Sequence, residues 1–372
     1  MRNTFLLIIM SLIALHQASA QNLNLIVGTY TNKGNSEGIY VYNFDSTTGK
    51  LSPKNKATGV SNPSYLTPSN NGKFVYSTNE DNDGSISSFA FDKLSGKLKF
   101  LNKKTAQGGG TCYIAVDATN KYVFAGNYGQ GNLVVYSVLP DGSLGNLLQS
   151  IQDTGSGVNK SRQEGPHVHS TILSPDQKFL LVSDLGTDKI SVYSFDNNSS
   201  SEPLKAAEPP YVTVEPGDGP RHLDFHPNSK YVYALMEMTG NVLAFSNDQG
   251  KMEKIQTISM VAKGFTGQTG AADIHVSPDG KFLYSSNRGD ANDIAIFSIN
   301  PSTGMLTLKG HQSTLGKGPR NFVIDPKGNF LLVANNNSNE IIVFKRNKVT
   351  GLLKATGEKV ALDAPVCLKF SK

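Results

Sequence analysis

Tryptophan is absent from this chain of 372 residues, cysteine occurs twice, and charged residues make up only 17% of it. Two cysteines, Cys112 and Cys367, exclude the disulfide framework on which small secreted domains rely. They lie far apart in the chain, and the demanding geometry of a disulfide gives no reason to expect a bridge between them. Clustered basic residues are missing too. The formal charge is +5 and the lysines are scattered over turns, so no nucleic-acid partner is expected. No stretch carries a convincing amphipathic helical pattern, and none reaches the roughly 20 apolar residues of a membrane span. The nearest approach is at the beginning of the chain. There Arg2, an apolar stretch over 5–14 and the small residues Ala18-Ser19-Ala20 follow the pattern of a cleaved export signal over 1–20. The expected product is a single domain over 21–372, starting near Gln21, periplasmic or secreted. No cysteine follows the cleavage position, so no membrane anchor is expected after processing.

What the chain has instead is glycine, 36 residues of it, and repetition. One pattern recurs six times: Pro or Gly, an alternating apolar strand, a Pro-Asp-Gly-Lys-like turn, and a second strand ending in Asn or a charge. The residue after the turn is Lys73, Lys121, Lys178, Lys230, Lys281 and Asn329 in the six copies. Each copy continues into two further strands. Around Lys230 these are Arg221 to Phe225, Lys230 to Leu235, Asn241 to Phe245 and Lys254 to Ile258, with period-2 alternation and Pro, Asn and Gly turns between them. Four-stranded units at a spacing of 48 to 57 residues predict a β-propeller. The ends supply a further copy. Leu25-Ile26-Val27-Gly28-Thr29-Tyr30 reads as a second strand, Gly38-Ile39-Tyr40-Val41-Tyr42 as a third, and Ala364-Pro365-Val366-Cys367-Leu368-Lys369-Phe370 as a first strand with nothing after it. Joining them makes seven blades in an all-β ring whose N- and C-terminal strands share one blade. Such closure removes the exposed sheet edges of an open array.

The polar residues then fall into register. Nine residues before each turn residue lie Ser64, Cys112, His169, Arg221, Ala272 and Arg320; seven after it lie Glu80, Tyr128, Leu185, Glu237, Arg288 and Asn336. In a propeller these are the start of the innermost strand and the end of its neighbour, so both sets should ring one mouth of the central channel. Glu237, between Met236 and Met238 at the end of an apolar strand, is costly to bury unless an arginine such as Arg221 or Arg288 compensates it. Arg320 and Glu80 have plainer readings, as a solvated strand end and a turn surface, and are kept as candidate substrate contacts with His167. The pair His167 and His169 has a spacing that could hold a metal, but no third ligand stands near in sequence, so neither metal nor cofactor is expected. His222, His226 and His275 read as packing or surface residues. A mouth rich in Arg, with His and Glu, suits an anionic, oxygen-rich small molecule. No serine occupies a nucleophile elbow and neither cysteine has a His partner in sequence, which favours attack by water or proton transfer over covalent catalysis.

The segments Val27-Gly28-Thr29-Tyr30-Thr31, Gly165-Pro166-His167-Val168-His169-Ser170, Gly219-Pro220-Arg221-His222 and Ser286-Asn287-Arg288 resemble the propeller-type lactonases. That family includes bacterial 6-phosphogluconolactonases and fungal carboxymuconate lactonising enzymes. The resemblance spans the whole chain after the export signal and implies seven blades and metal-free opening or closing of a lactone ring. It also implies catalytic roles for His169, Arg221, Glu237 and Arg288, which match the His, two Arg and Glu of the cyclising relatives. The expected activity is hydrolysis of a sugar δ-lactone, nominally 6-phospho-D-glucono-1,5-lactone, although an export signal sits oddly with an intracellular phosphorylated substrate. Two other readings stay open: a propeller that only binds a sugar acid or a protein, and a muconate-type cycloisomerase.

Overall fold

The computed structural model describes residues 22–371. The segment read as an export signal lies outside them. The described residues form twenty-eight strands and no helix. They are organised as seven four-stranded antiparallel sheets in a ring, a seven-bladed β-propeller. Blade one combines Pro365–Phe370 from the end of the chain with Asn22–Thr29, Gly38–Asp45 and Leu51–Thr58, as expected from the sequence. Blades two to seven follow in chain order.

The recurrent turn explains why each blade forms locally. In blade six Ser277 Oγ donates to Asp279 Oδ1 at 2.6 Å, the Lys281 amide donates to the same oxygen, and Phe282 N donates back to Ser277 Oγ. Gly280 closes the turn at φ +69, a left-handed conformation that glycine adopts without a Cβ penalty. The equivalent Gly328 stands at φ +68. The second strands that follow, such as Tyr231–Met236 and Phe330–Asn335, are buried on both faces, whereas the outermost strands, such as Leu204–Thr213, are largely exposed. Neighbouring blades pack face to face through apolar and aromatic side chains. Phe124 meets Phe195 edge to face at 5.3 Å, and Phe44 meets Phe330 at 5.7 Å across the closing seam. Each such side chain contributes roughly 1.5–3 kcal/mol on burial, so the ring is held by inter-blade contact rather than by any one sheet.

Cys112 and Cys367 are both free and buried. The innermost strand of blade two, Leu66–Pro68, is the shortest of its kind, and Ser64 lies before it.

Candidate active site

In every blade but the second, the pairing between first and second strands shifts by one residue near the start of the innermost strand. In blade four Val168 faces Asp184 and Ser170 faces Ser183, leaving His169 without a partner. In blade five the unpaired residue is Arg221, in blade seven Arg320, and in blade three Cys112. Blade six is irregular over Ala272 and Asp273 together. A bulge of this kind turns the extra side chain out of the strand's alternation. The position nine residues before the turn is therefore the bulge position, and the bulge delivers its side chain to the channel.

The residue seven after the turn stands just past the second strand, and Glu237 is the one around which the others gather. Its Oε2 accepts from Arg221 Nε at 2.7 Å and lies 3.1 Å from Arg288 Nη2. His169 Nε2 stands 4.0 Å from the same oxygen. The other oxygen, Oε1, accepts from Arg162 Nη2 at 2.6 Å. Burial pushes the Glu237 carboxyl up, but Arg288 and Arg221, joined by Arg162, outweigh it and hold the acid ionised well below the usual range. Burial and the nearby Arg221 and His222 hold His169 well below its ordinary value, so this imidazole is neutral. Arg221 is the largest fully buried side chain, at 1% exposure, and also donates to the Ala272 carbonyl. Burial and the neighbouring Arg221 and Arg320 bring Arg288 down to about 10 although Glu237 favours its charge, which leaves it a cation at neutral pH.

Above this cluster opens a cavity of about 540 Å³, lined by Tyr30, Lys33, Arg162, Glu237, Arg288 and Arg320, with loop atoms between them. Arg320 lies 3.7 Å from Glu80 and its guanidinium sits 5.4 Å from the centre of the Tyr30 ring. The Tyr30 hydroxyl donates to Glu80 Oε2 at 2.9 Å. Arg162, Arg288 and Arg320 line the cavity and Arg221 lies buried behind them; the four guanidiniums share two carboxylates, a surplus of positive charge that an anionic ligand would neutralise. His167 does not line this cavity. Its ring stacks on Tyr128 at 4.3 Å, with Nδ1 2.7 Å from the Tyr128 carbonyl and Nε2 3.2 Å from Glu164. The two imidazoles of His167 and His169 are held by different partners, and among the described residues no group of three His, Cys, Asp or Glu is placed to hold a metal.

Three contacts differ from the sequence reading. Cys112 Sγ lies 3.8 Å from His169 Nδ1, because blades three and four place their bulge residues side by side. Burial pushes the Cys112 thiol up to about 12, so it is a protonated neighbour of the imidazole rather than a nucleophile. His222 and His275 are not simple packing residues. Arg221 Nη1 can only donate, so His222 Nε2 accepts from it at 3.2 Å, which leaves the ring hydrogen on Nδ1 to reach Asp273 Oδ1 at 2.7 Å. Burial and Arg221 hold His222 down to about 3, in keeping with a neutral ring. His275 Nε2 reaches the other Asp273 oxygen at 3.1 Å. Asp273 stands one place beyond the bulge residue Ala272, in the position that His222 and Asn321 hold in blades five and seven, so a frame read only at the bulge passes over it. His226 does pack as expected, with Nε2 2.9 Å from the Gly280 carbonyl.

The third is Arg162, which no repeat position contains. It stands on the link over 153–167, fifteen residues long where the other blade-to-blade links have three to eleven. A structureless link of that length inside a compact ring is usually functional, and its length was the one sequence signal available. Gln163 pins the link from within. It is fully buried, its Nε2 donates to the Leu185 carbonyl, and its Oε1 accepts from the Asn159 amide. A Cβ on Gly157 would meet the Gln163 side chain at 2.3 Å, so a larger residue there would have to displace that buried, hydrogen-bonded amide.

The family model described as "Lactonase, 7-bladed beta-propeller" matches residues 24–370. The chain belongs to this lactonase family. A 6-phosphogluconolactonase of Bacillus subtilis is 36% identical over 347 residues, covering 92% of this chain and 97% of its own. The crystal structure of a Bacteroides fragilis protein, 41% identical, superposes with a TM-score of 0.91 over 95% of this chain and 99% of that one. A periplasmic gluconolactonase of Pseudomonas aeruginosa, 36% identical, gives a TM-score of 0.89 over 94% and 99%. These likenesses extend over all seven blades, so the lactonase relatives share the whole ring and not one repeat of it.

Proposed function

We propose that this lactonase hydrolyses a sugar δ-lactone, nominally 6-phospho-D-glucono-1,5-lactone to 6-phosphogluconate, by attack of water without a covalent intermediate. One observation carries the reading: Glu237 is fixed through Oε2 by Arg221 and Arg288, while Oε1 meets only the side chain of Arg162 at the cavity. In the proposed reaction a water on the Oε1 side gives its proton to Glu237 as its oxygen adds to the lactone carbonyl carbon. Arg288 and Arg221 stabilise the negative charge that forms on the former carbonyl oxygen. Collapse breaks the bond from that carbon to the ring oxygen, and the proton held by Glu237 passes to the departing oxygen. His169, neutral and 4.0 Å from Glu237, steadies the carboxyl through these transfers. Arg320, with Glu80 beside it, meets the hydroxyl-bearing or anionic part of the substrate. His167 acts at second hand, by fixing Tyr128.

The printed names of the Bacillus and Pseudomonas relatives support a gluconate-type lactone, phosphorylated in one and without a stated phosphate in the other. The Pseudomonas name also supports the reading of residues 1–20 as an export signal ahead of one propeller domain, and hence a periplasmic or secreted protein. Turnover of glucono- and 6-phosphoglucono-δ-lactone, corrected for spontaneous hydrolysis, tests the mechanism. Glu237→Gln should lower kcat by roughly 10²–10⁴-fold, the usual contribution of a positioned general base. Equal rates in the two proteins would remove Glu237 from the reaction.

A further inference from the structure

The three arginines on Glu237 are not equivalent. Arg221 and Arg288 belong to the ends of blade strands, with side chains 1% and 23% exposed, and both address Oε2. Arg162 addresses Oε1 alone, its side chain is 42% exposed, and it lines the cavity. Among the described residues its other side-chain bond is a 3.3 Å contact to the Tyr128 hydroxyl. The backbone beneath it is held by Gln163, so the guanidinium can move while the link stays in place. Without a ligand, the oxygen that should take a proton from water is therefore covered by the most exposed of the three guanidiniums on Glu237.

We infer that Arg162 is the specificity-determining residue of this lactonase: it leaves Glu237 Oε1 to bind an anionic group at the end of the substrate away from the lactone carbonyl. The inference rests on Glu237 acting as the base. An anionic tail replaces the carboxylate as the partner of the guanidinium, so the cation is never left unpaired, and Oε1 opens to water in the same movement. A substrate with a neutral tail offers Arg162 nothing in exchange, and Oε1 stays covered. Departure of one guanidinium also relaxes the hold on the ionised carboxyl and makes Glu237 a stronger base. The chemistry recognised is a phosphate or a carboxylate, either of which a guanidinium fork binds in two places.

Calorimetric binding of gluconate, glucarate and 6-phosphogluconate to the intact protein compares a neutral tail with a carboxylate and a phosphate. We expect the anionic tails to bind at least about tenfold more tightly than the neutral one, since hydrogen bonds to charged groups contribute about 1.5–3 kcal/mol. Arg162→Ala should lose that preference, Arg162→Lys should recover part of it, and Lys160→Ala, which removes a charge from the same link, should keep it. In turnover, Arg162→Ala should cost 6-phosphogluconolactone more than gluconolactone, mainly in KM. The acid limb of kcat/KM for gluconolactone should move to higher pH. A preference that survives Arg162→Ala, or no preference in the wild type, overturns the inference, as does an equal loss for both lactones with an unmoved acid limb. Wild-type protein that turns over neither lactone would sink the hydrolytic reading, and the binding series would still decide whether Arg162 reads the tail.

Discussion

Glu237, near one mouth of the channel, and Asp273, deeper within it, are two buried carboxylates stabilised in opposite styles. Asp273 is 1% exposed and saturated. His222 Nδ1 and the Ile274 amide reach one oxygen, and His275 Nε2, the Asn321 side chain and the Phe322 amide reach the other. These donors come from blades five, six and seven, so Asp273 stitches three blades together. Glu237 also draws on three blades through His169, Arg221 and Arg288, yet it keeps one oxygen for a side chain that is half in solvent. Both acids meet the cost of burial, but only one keeps a replaceable partner. Arg221 and His222, adjacent in sequence, join the two, so the saturated acid sets the ring that positions an arginine of the open one.

The contrast can be broken most severely at the closed end. Asp273→Asn takes the countercharge from His275 and a matched acceptor from His222, and should destabilise the fold by about 3–5 kcal/mol in urea unfolding. Its effect on kcat should stay far below that of Glu237→Gln; a loss of turnover as large as that of Glu237→Gln would mean that the two acids work as one unit. A smaller effect sharpens the comparison through pH. Burial opposes a charge on His275, but Asp273 and Asp224 more than offset it and carry the imidazole up to about 9. A raised histidine contributes stability that is complete below its unfolded value of about 6.5 and is lost as pH rises through about 9. Thermal midpoints should therefore fall between pH 6 and pH 10 by the equivalent of roughly 1–3 kcal/mol, and His275→Gln should flatten that fall. The same slope in both proteins would assign it elsewhere. The smallest effect belongs to Tyr30→Phe, which removes one bond to Glu80 and should cost about 1 kcal/mol or less, with a modest rise in KM.

The sequence made the ring legible because blades two to seven solve the same problem in the same way: a left-handed residue closes the turn, Gly72, Asn120, Gln177, Ser229, Gly280 or Gly328, with alternation before and after. It made much of the site legible for the same reason. A bulge at a constant offset places His169, Arg221 and Arg320 alike, so a frame counted from the turn finds them without knowledge of the bulge itself. Where the frame was read too narrowly, the reading fails. Asp273 was passed over because it stands one place beyond the bulge position, beside His222 and Asn321 in the repeat, and Cys112 was not joined to His169 because a partner was sought along the chain and not on the neighbouring blade. Arg162 was hidden because links obey no period; only the length of 153–167 marked it.

The seam of blade one has a consequence for how the enzyme comes into being. Tyr30 belongs to the chain's first blade, Glu80 to its second and Arg320 to its seventh, and the three meet only when Pro365–Phe370 has docked beside Asn22–Thr29. The Tyr30 amide even donates to the Ala364 carbonyl. This wall of the cavity thus cannot exist on a nascent chain, however many blades have already folded. Activity should switch on abruptly with ring closure, and a single protease cut in the strand 365–370 would silence chemistry on the far side of the channel.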